Sequence, residues 1–278
     1  MKLLEGRKIV DGIKCSLKQE IKGLNRKPVL ACVQLGDNSS VSSYIKSQQK
    51  CAKDLGIEYC LKSLAAQTSQ EDLIDTITEL NNDSNINGII IQLPLPEHID
   101  VRTVYMAVSP GKDAESMHPE NLGKLFFSST KVSPCTASAV VELLKSIDIK
   151  LYGKEVVIVG HSPILGKPLS IILLNEYATI TVCHIATFEA EKLISHIKQA
   201  DILIVAVGKA NFIKADWVKE GAVVIDVGIN KLGDKIIGDV DFDNVSKKAS
   251  FITPVPGGVG PLTTAILMRN LVTLAGKK

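Results

Sequence analysis

Lys154-Glu-Val-Val-Ile-Val-Gly160 runs directly into Gly160-His-Ser-Pro-Ile-Leu-Gly166. The Val-Val-Ile-Val run reads as a buried strand, because β-branched residues suit a pleated surface covered on both sides. A helix from about 167 to 177 follows the second glycine. Strand, glycine turn and helix in that order form the opening crossover of a dinucleotide-binding unit. The glycine spacing departs from Gly-x-Gly-x-x-Gly, so the surrounding elements carry the reading. A P-loop is excluded. That loop needs four residues between its glycines and Ser or Thr after Gly-Lys. Here five intervene, and Pro168 follows Lys167.

Working outward, 179–183, 202–207 and 223–227 supply further apolar strands, and 230–236 reads as a hairpin turning at Gly233-Asp234. On the N-terminal side, Ile9, Ile13, Leu17, Ile21 and Leu24 share one face of a helix over 7–24. Pro28 ends it, and 29–35 is a strand. Gly36-Asp-Asn-Ser-Ser40 is a turn rich in N-caps, leading a helix that Gly56 closes. Strand 57–61, helix 70–81 and strand 88–92 complete a β-α-β-α-β rhythm, which predicts a parallel sheet with helices on both faces. Gln92 stands at a strand's carboxyl end, where such sheets hold ligands. Residues 109–136 read as irregular. Their segment Lys112-Asp-Ala-Glu-Ser-Met-His-Pro119 gathers two carboxylates and a histidine. Thr136 is expected to cap a helix to about 147. Thr253-Pro-Val-Pro-Gly-Gly-Val-Gly-Pro-Leu-Thr-Thr-Ala265 reads as a stiff loop. Thr263 or Thr264 would then cap a final helix over 265–274, and the loop would offer backbone N–H groups to an anion or a polar ring.

The 278 residues suffice for one large or two medium domains. Hydrophobic residues make up 45% and aromatics only 4%, which favours buried parallel strands over a β-sandwich. A net charge of +2 gives no footprint for nucleic acid, and the longest apolar run, 202–207, is far too short to span a bilayer. The six cysteines contain no Cys-x-x-Cys pair, so zinc is not expected, and they read as reduced thiols of a cytoplasmic protein.

Six segments together resemble one family. They are Gln92-Leu-Pro-Leu-Pro96, Pro134-Cys-Thr136, Val159-Gly160 with Ser162, Ile164 and Gly166, Ile225-Asp-Val-Gly-Ile-Asn230, Gly238-Asp-Val-Asp-Phe242 and Pro256-Gly-Gly-Val-Gly-Pro261. In this order, over essentially the whole chain, they resemble the bifunctional methylenetetrahydrofolate dehydrogenase/cyclohydrolase family. The resemblance implies an α/β protein of two domains around a cleft. A three-layer folate-binding domain would span 1–137, completed by helix 263–278, and a Rossmann-like NAD(P)-binding domain would span 138–262. It implies a cytoplasmic homodimer acting on tetrahydrofolate derivatives, with NADP as cofactor and NAD as the other possibility. Tyr44, Gln48, Gln92 and Glu115 fall at catalytic positions. Tyr44, Gln92, Glu115, Pro256, Gly257 and Gly258 fall at folate-binding positions. Gly160, His161, Ser162, Ile164, Gly166, Ile185, Val207, Gly208, Gly228, Ile229 and Thr264 fall at cofactor positions.

The chain departs from the family at several of these. A Tyr-x-x-x-Lys pair becomes Tyr44 and Gln48, and that lysine is the family's acid/base group for the cyclohydrolase. An amide transfers no proton at neutral pH, so the cyclohydrolase is expected to be lost or weak. Lys-Asp-Val-Asp-Gly becomes Lys112-Asp-Ala-Glu-Ser116, so Glu115 extends the pterin-holding carboxylate by a methylene. Ala137 and Ser138 follow Pro134-Cys-Thr136, and His161 replaces a frequent arginine. The expected activity is a methylenetetrahydrofolate dehydrogenase. The alternatives are a fully bifunctional enzyme and a non-catalytic folate- or nucleotide-binding protein.

Overall fold

The computed structural model describes residues 1–37, 39–233 and 235–276, and it leaves the side chains of Ser39 and Ser40 undescribed. The expected caps Asn38, Ser39 and Ser40, the turn residue Asp234 and the last two residues of the expected C-terminal helix therefore lie outside what is described. The chain runs β1 (Lys2–Leu3), α1 (Arg7–Lys22), β2 (Val29–Leu35), α2 (Ser39–Leu55), β3 (Glu58–Leu64), α3 (Gln70–Asn82), β4 (Gly88–Ile91), α4 (Val101–Ala107) and α5 (Pro119–Leu125). It continues with α6 (Cys135–Lys145), β5 (Glu155–Val159), α7 (Gly166–Asn175), β6 (Thr179–Cys183), α8 (Ile185–Glu189), α9 (Leu193–Ile197), β7 (Ile202–Val205) and β8 (Val223–Asp226). Last come β9 (Asn230–Leu232), β10 (Lys235–Ile237), α10 (Phe242–Val245), β11 (Phe251–Ile252) and α11 (Val259–Ala275).

Two compact units divide the chain. One comprises Gly12–Cys135 and Thr264–Lys278, the other Met1–Asp11 and Thr136–Thr263. The division differs from the sequence-based one at the N-terminus, where residues 1–11 were expected with the first domain. The cause is β1, which pairs with β11 through Lys2 and Leu3. A two-residue strand leaves no periodicity to read.

The first unit is built on the parallel sheet β3-β2-β4. Side chains alternate across a strand. Ala31, Val33 and Leu35 therefore face one way, where they pack with Leu73, Ile77 and Leu80 of α3 and Val104 of α4. Leu30 faces the other way, and the α11 residue Leu271 packs there beside Gly88. Capping fixes the helix starts. Ser69 Oγ accepts from Asp72 N, and Glu71 and Asp72 put negative charge in the first turn of α3. Asp100 caps α4 in the same way. The segment expected to be irregular holds α5, whose N-cap is His118 with Pro119 at the first helical position.

The second unit carries a six-stranded, fully parallel sheet in the order β1-β11-β8-β7-β5-β6. Its central strands β7 and β8 are buried throughout, as suits the aliphatic Ile-Leu-Ile-Val and Val-Val-Ile runs that form them; β8 ends on the buried Asp226. The β9–β10 hairpin turns at Gly233, whose φ is +60°.

Two expected caps are corrected. α6 begins at Cys135, so Thr136 lies inside it. α11 begins at Val259, six residues before the expected start. Gly260 and Pro261 fit its first turn because N–H groups there need no partner within the helix. Thr263 is an interior residue whose hydroxyl donates back to the Val259 carbonyl (3.2 Å), and Thr264 is buried.

Candidate functional site

In the first unit α2 carries Tyr44 and Gln48 one turn apart, which aligns them on one helical face. Gln48 is 4% exposed and Gln92 8%. The Gln48 Oε1 accepts from the Tyr59 hydroxyl at 2.7 Å and from Gln92 Nε2 at 3.1 Å. Cys32 hydrogen-bonds with both Tyr59 and Gln92, and burial pushes its thiol up to about 11. Neither Tyr59 nor Cys32 was found from the sequence. Tyr44 is 37% exposed, and burial of its ring, followed by the charge of Glu115, raises its hydroxyl.

Glu115 joins this cluster. The Ile91 N–H donates to its carboxyl group, one residue before Gln92. Burial, then the neighbouring Asp113 charge, pushes Glu115 up to about 8. Asp113 is held by the His118 N–H (2.7 Å) and Asn121 Nδ2 (2.9 Å). Lys112 turns away and donates to the carbonyls of Leu80, Asn81 and Asp83 at the C-terminal end of α3. Ser116, where the family carries glycine, has φ +59°. A non-glycine residue in that region costs roughly 1 kcal/mol. Its buried hydroxyl donates to the Val132 carbonyl at 3.1 Å, which offsets part of that cost. Ala137 is fully buried and Ser138 nearly so, both within α6. Asn270 Nδ2 ties α11 to the carbonyls of Ala114 and Ser133, both at 2.9 Å. Nothing in the sequence pattern signalled that tie.

The other residues expected to bind folate lie in the second unit. Gly257 has φ +114°, and its carbonyl accepts from Gly6 N at 3.2 Å. Gly258 N donates to the Pro254 carbonyl at 2.9 Å, and the Val255–Pro256 peptide is cis. The cofactor candidates group at the carboxyl ends of this unit's strands, except Thr264, which belongs to the first unit. Gly160 has φ +127°, and a Cβ there would lie 2.3 Å from the Ala206 carbonyl oxygen. A Cβ on Gly166 would lie 2.0 Å from the Gly160 oxygen. The turn thus packs against the chain after β7 at Gly160 and closes on itself at Gly166. Ser162 Oγ accepts from Leu165 N (3.2 Å) just before α7 begins. His161 and His184, at the ends of the paired strands β5 and β6, lie in tilted contact with ring centroids 5.2 Å apart. Ile164 and Ile185 are exposed beside them in sequence, as is Ile229 after β8.

Two aspartates fix the remaining loops. Asp239 accepts from Val207 N (2.6 Å), Gly208 N (2.9 Å) and Asn230 Nδ2 (2.8 Å). Asp226 accepts from Gly228 N (2.9 Å), Asp239 N (3.0 Å) and Val240 N (2.8 Å). Burial pushes Asp226 up to about 6 against those three hydrogen bonds. A Cβ on Gly238 would sit 1.9 Å from Asp226 Oδ2, and one on Gly228 would sit 2.2 Å from Asp239 Cγ. Neither carboxylate can withdraw without breaking its bonds. Gly238→Ala and Gly228→Ala should each cost about 2–3 kcal/mol by overpacking, read as a lower urea midpoint at unchanged slope. An unchanged midpoint would refute this account of the two loops.

A glycine-turn crossover on a parallel sheet in one unit, and a polar Tyr/Gln/Glu cluster in the other, define a two-domain α/β protein of nucleotide-dependent chemistry. The residues fit a dinucleotide: a tight turn, a hydroxyl and the N-terminus of α7 stand where a pyrophosphate binds in such folds. Two domain profiles match the chain, the tetrahydrofolate dehydrogenase/cyclohydrolase catalytic domain over residues 4–115 and the NAD(P)-binding domain over 134–278. The bifunctional protein FolD of a Nitratiruptor species is 45% identical over 282 residues, covering 100% of this chain and 99% of its own. The structure of the FolD methylenetetrahydrofolate dehydrogenase/cyclohydrolase of Campylobacter jejuni superposes with TM-score 0.94 at 43% identity, covering 99% and 98%. That of Trypanosoma brucei FolD, complexed with NADP cofactor and an inhibitor, gives TM-score 0.92 at 36% identity, covering 98% and 96%. The chain belongs to the tetrahydrofolate dehydrogenase/cyclohydrolase family.

Proposed function

We propose that this protein oxidises 5,10-methylenetetrahydrofolate by hydride transfer to NADP⁺, with little or no hydrolysis of the methenyl product. The observation that carries the second clause is Gln48, whose carbonyl is engaged by Tyr59 and Gln92. It has no proton to give or take at neutral pH. Hydride transfer asks mainly for alignment of two bound rings and a suitable field, so it survives the loss of an acid/base group. The cofactor, when bound, supplies the hydride acceptor. Tyr44, Gln92 and Glu115 hold the folate, together with Pro256, Gly257 and Gly258. Gly160, His161, Ser162, Ile164, Gly166, Ile185, Val207, Gly208, Gly228, Ile229 and Thr264 hold the cofactor.

NADP is favoured over NAD by what ends β6. An NAD enzyme typically places a carboxylate there for the ribose 2′-hydroxyl. Here it is His184, its ring tilted against that of His161, so no carboxylate stands there to grip a 2′-hydroxyl or to repel a 2′-phosphate. A cytoplasmic homodimer completes the proposal. No helix among the described residues is long and apolar enough to cross a membrane.

Two observations favour a second reading, the fully bifunctional enzyme. The relatives are named bifunctional, and Glu115 at about 8 has the proton affinity of a working general acid or base. A progress curve separates the two readings. Protein and methylenetetrahydrofolate are mixed with NADP⁺ or, in a parallel run, NAD⁺, and reduced cofactor and methenyl product are followed against a protein-free blank. Methenyl accumulating with reduced cofactor is expected. Its removal faster than the blank's own hydrolysis supports the second reading, and no reduced cofactor with either nucleotide rejects both.

A further inference from the structure

A lysine presents only donors, whereas a glutamine has two different ends. The Gln48 amide is useful to a ligand only if something fixes which end faces it. Three strands supply the means. Tyr59 pairs with Leu30 in register, and Cys32, two residues along, projects to the same face. Ile90 pairs with Cys32, and Gln92, two residues beyond Ile90, continues that face. Side chains from β3, β2 and the end of β4 thus meet beneath α2. There the Tyr59 hydroxyl and Gln92 Nε2 both donate to Gln48 Oε1, at 2.7 and 3.1 Å. Two donors fill the two lone pairs of an amide oxygen. Among the described residues no buried side-chain nitrogen or oxygen lacks a partner, and both Gln48 bonds end on its oxygen. Its nitrogen is therefore the accessible edge of a side chain otherwise buried.

We propose that Tyr59 is a positioning residue. Its hydroxyl, with Gln92, pins the Gln48 carbonyl to the sheet, so that the Gln48 N–H pair faces outward as donor to a lone-pair atom of the folate. Cys32 hydrogen-bonds with Tyr59 and Gln92 and shares their face of the sheet, which keeps the two donors side by side beneath Gln48. This inference rests on the folate-dependent reading above.

The test is a double-mutant cycle on the full chain: wild type, Tyr59→Phe, Gln48→Leu and the double variant. For each, kcat and KM are measured with methylenetetrahydrofolate and NADP⁺, and the affinity for tetrahydrofolate is measured by calorimetry. Thermal unfolding confirms that each variant folds. Tyr59→Phe should lower kcat/KM about fivefold, the worth of one neutral hydrogen bond, and by less than about twofold once Gln48→Leu removes the amide. Equal factors in both backgrounds would make Tyr59 merely structural, and no effect in the wild-type background would also overturn the proposal. If Gln48→Leu abolishes turnover, tetrahydrofolate affinity is judged by the same criterion. A wild type that binds tetrahydrofolate but reduces no cofactor refutes the proposed activity and leaves the cycle readable. A wild type that binds none refutes both.

Discussion

Gln48→Lys creates a methenyltetrahydrofolate cyclohydrolase, raising hydrolysis about 10²- to 10⁴-fold over wild type, the usual contribution of a positioned acid/base group. The position is prepared for it. The Gln48 amide sits on a sheet-borne cluster with Gln92 and Tyr59 at hydrogen-bond distance. An ammonium group there meets a hydroxyl that can turn from donor to acceptor and an amide that can flip to present its oxygen. No backbone has to move. Burial works in the same direction. A group at a position 4% exposed loses part of its hydration, and desolvation disfavours the charged form of lysine. The amine then titrates nearer neutrality, where it can take a proton from water and return it to a leaving nitrogen. Dehydrogenase activity should stay within about tenfold of wild type, because alignment of the two rings does not depend on proton transfer. The measurement is the decay of methenyl absorbance above the buffer rate. A folded lysine variant that reduces NADP⁺ yet hydrolyses methenyl no faster than wild type would show that residue 48 is not what limits the second step. Rapid hydrolysis by wild type itself would move the acid/base role to Glu115.

The parts of the fold legible in the sequence were those with long-range periodicity or special backbone chemistry. The Val-Val-Ile-Val run before Gly160 specified a buried parallel strand, and Gly160 and Gly166 sit where a Cβ would strike backbone. Several short elements were missed, among them β1, α5 and α8, because two residues of strand or one or two turns of helix carry no period. The caps Thr136, Thr263 and Thr264 were misassigned because threonine is also found inside helices, bonding back to a carbonyl as Thr263 does. Among the candidate site residues, Gln48 was conspicuous because the family resemblance places a lysine there, four residues after Tyr44. Its partner Tyr59 and the neighbouring Cys32 were not, since their role depends on the register between β2 and β3, which no single strand encodes. The consequence of Glu115 was equally hidden, because it comes from burial and crowding by Asp113 rather than from residue type.

That burial and crowding make stability depend on pH in a way one substitution can isolate. Glu115 is pushed from an ordinary 4.5 up to about 8 in the folded protein. Between those values the native state keeps a proton that the unfolded chain releases. Stability from this group is therefore fully present below about 4.5 and is lost as pH rises through about 8. Asp226 behaves alike over a lower window, from 3.8 to about 6, so measurements from pH 6 to 8 separate the two. At about 1.36 kcal/mol per pH unit, Glu115 accounts for a loss of roughly 2–3 kcal/mol across that interval, the lower figure allowing for its partly solvated edge. Glu115→Gln keeps the shape and a donor but cannot ionise. It should unfold with the same urea midpoint at pH 6 and 8 where wild type falls, and the gap between the two proteins should widen up to about pH 8 and level off above it. The same neutrality bears on binding. Below about 8 the protonated carboxyl is a donor, as Gln would be, so the variant should hold tetrahydrofolate about as well as wild type at pH 7 and better at pH 9. Parallel midpoints for the two proteins from pH 6 to 8 would mean that Glu115 is ionised at neutrality. The cluster of Tyr44, Gln48 and Gln92 would then face a carboxylate, and Glu115 would lose its claim to the acid role.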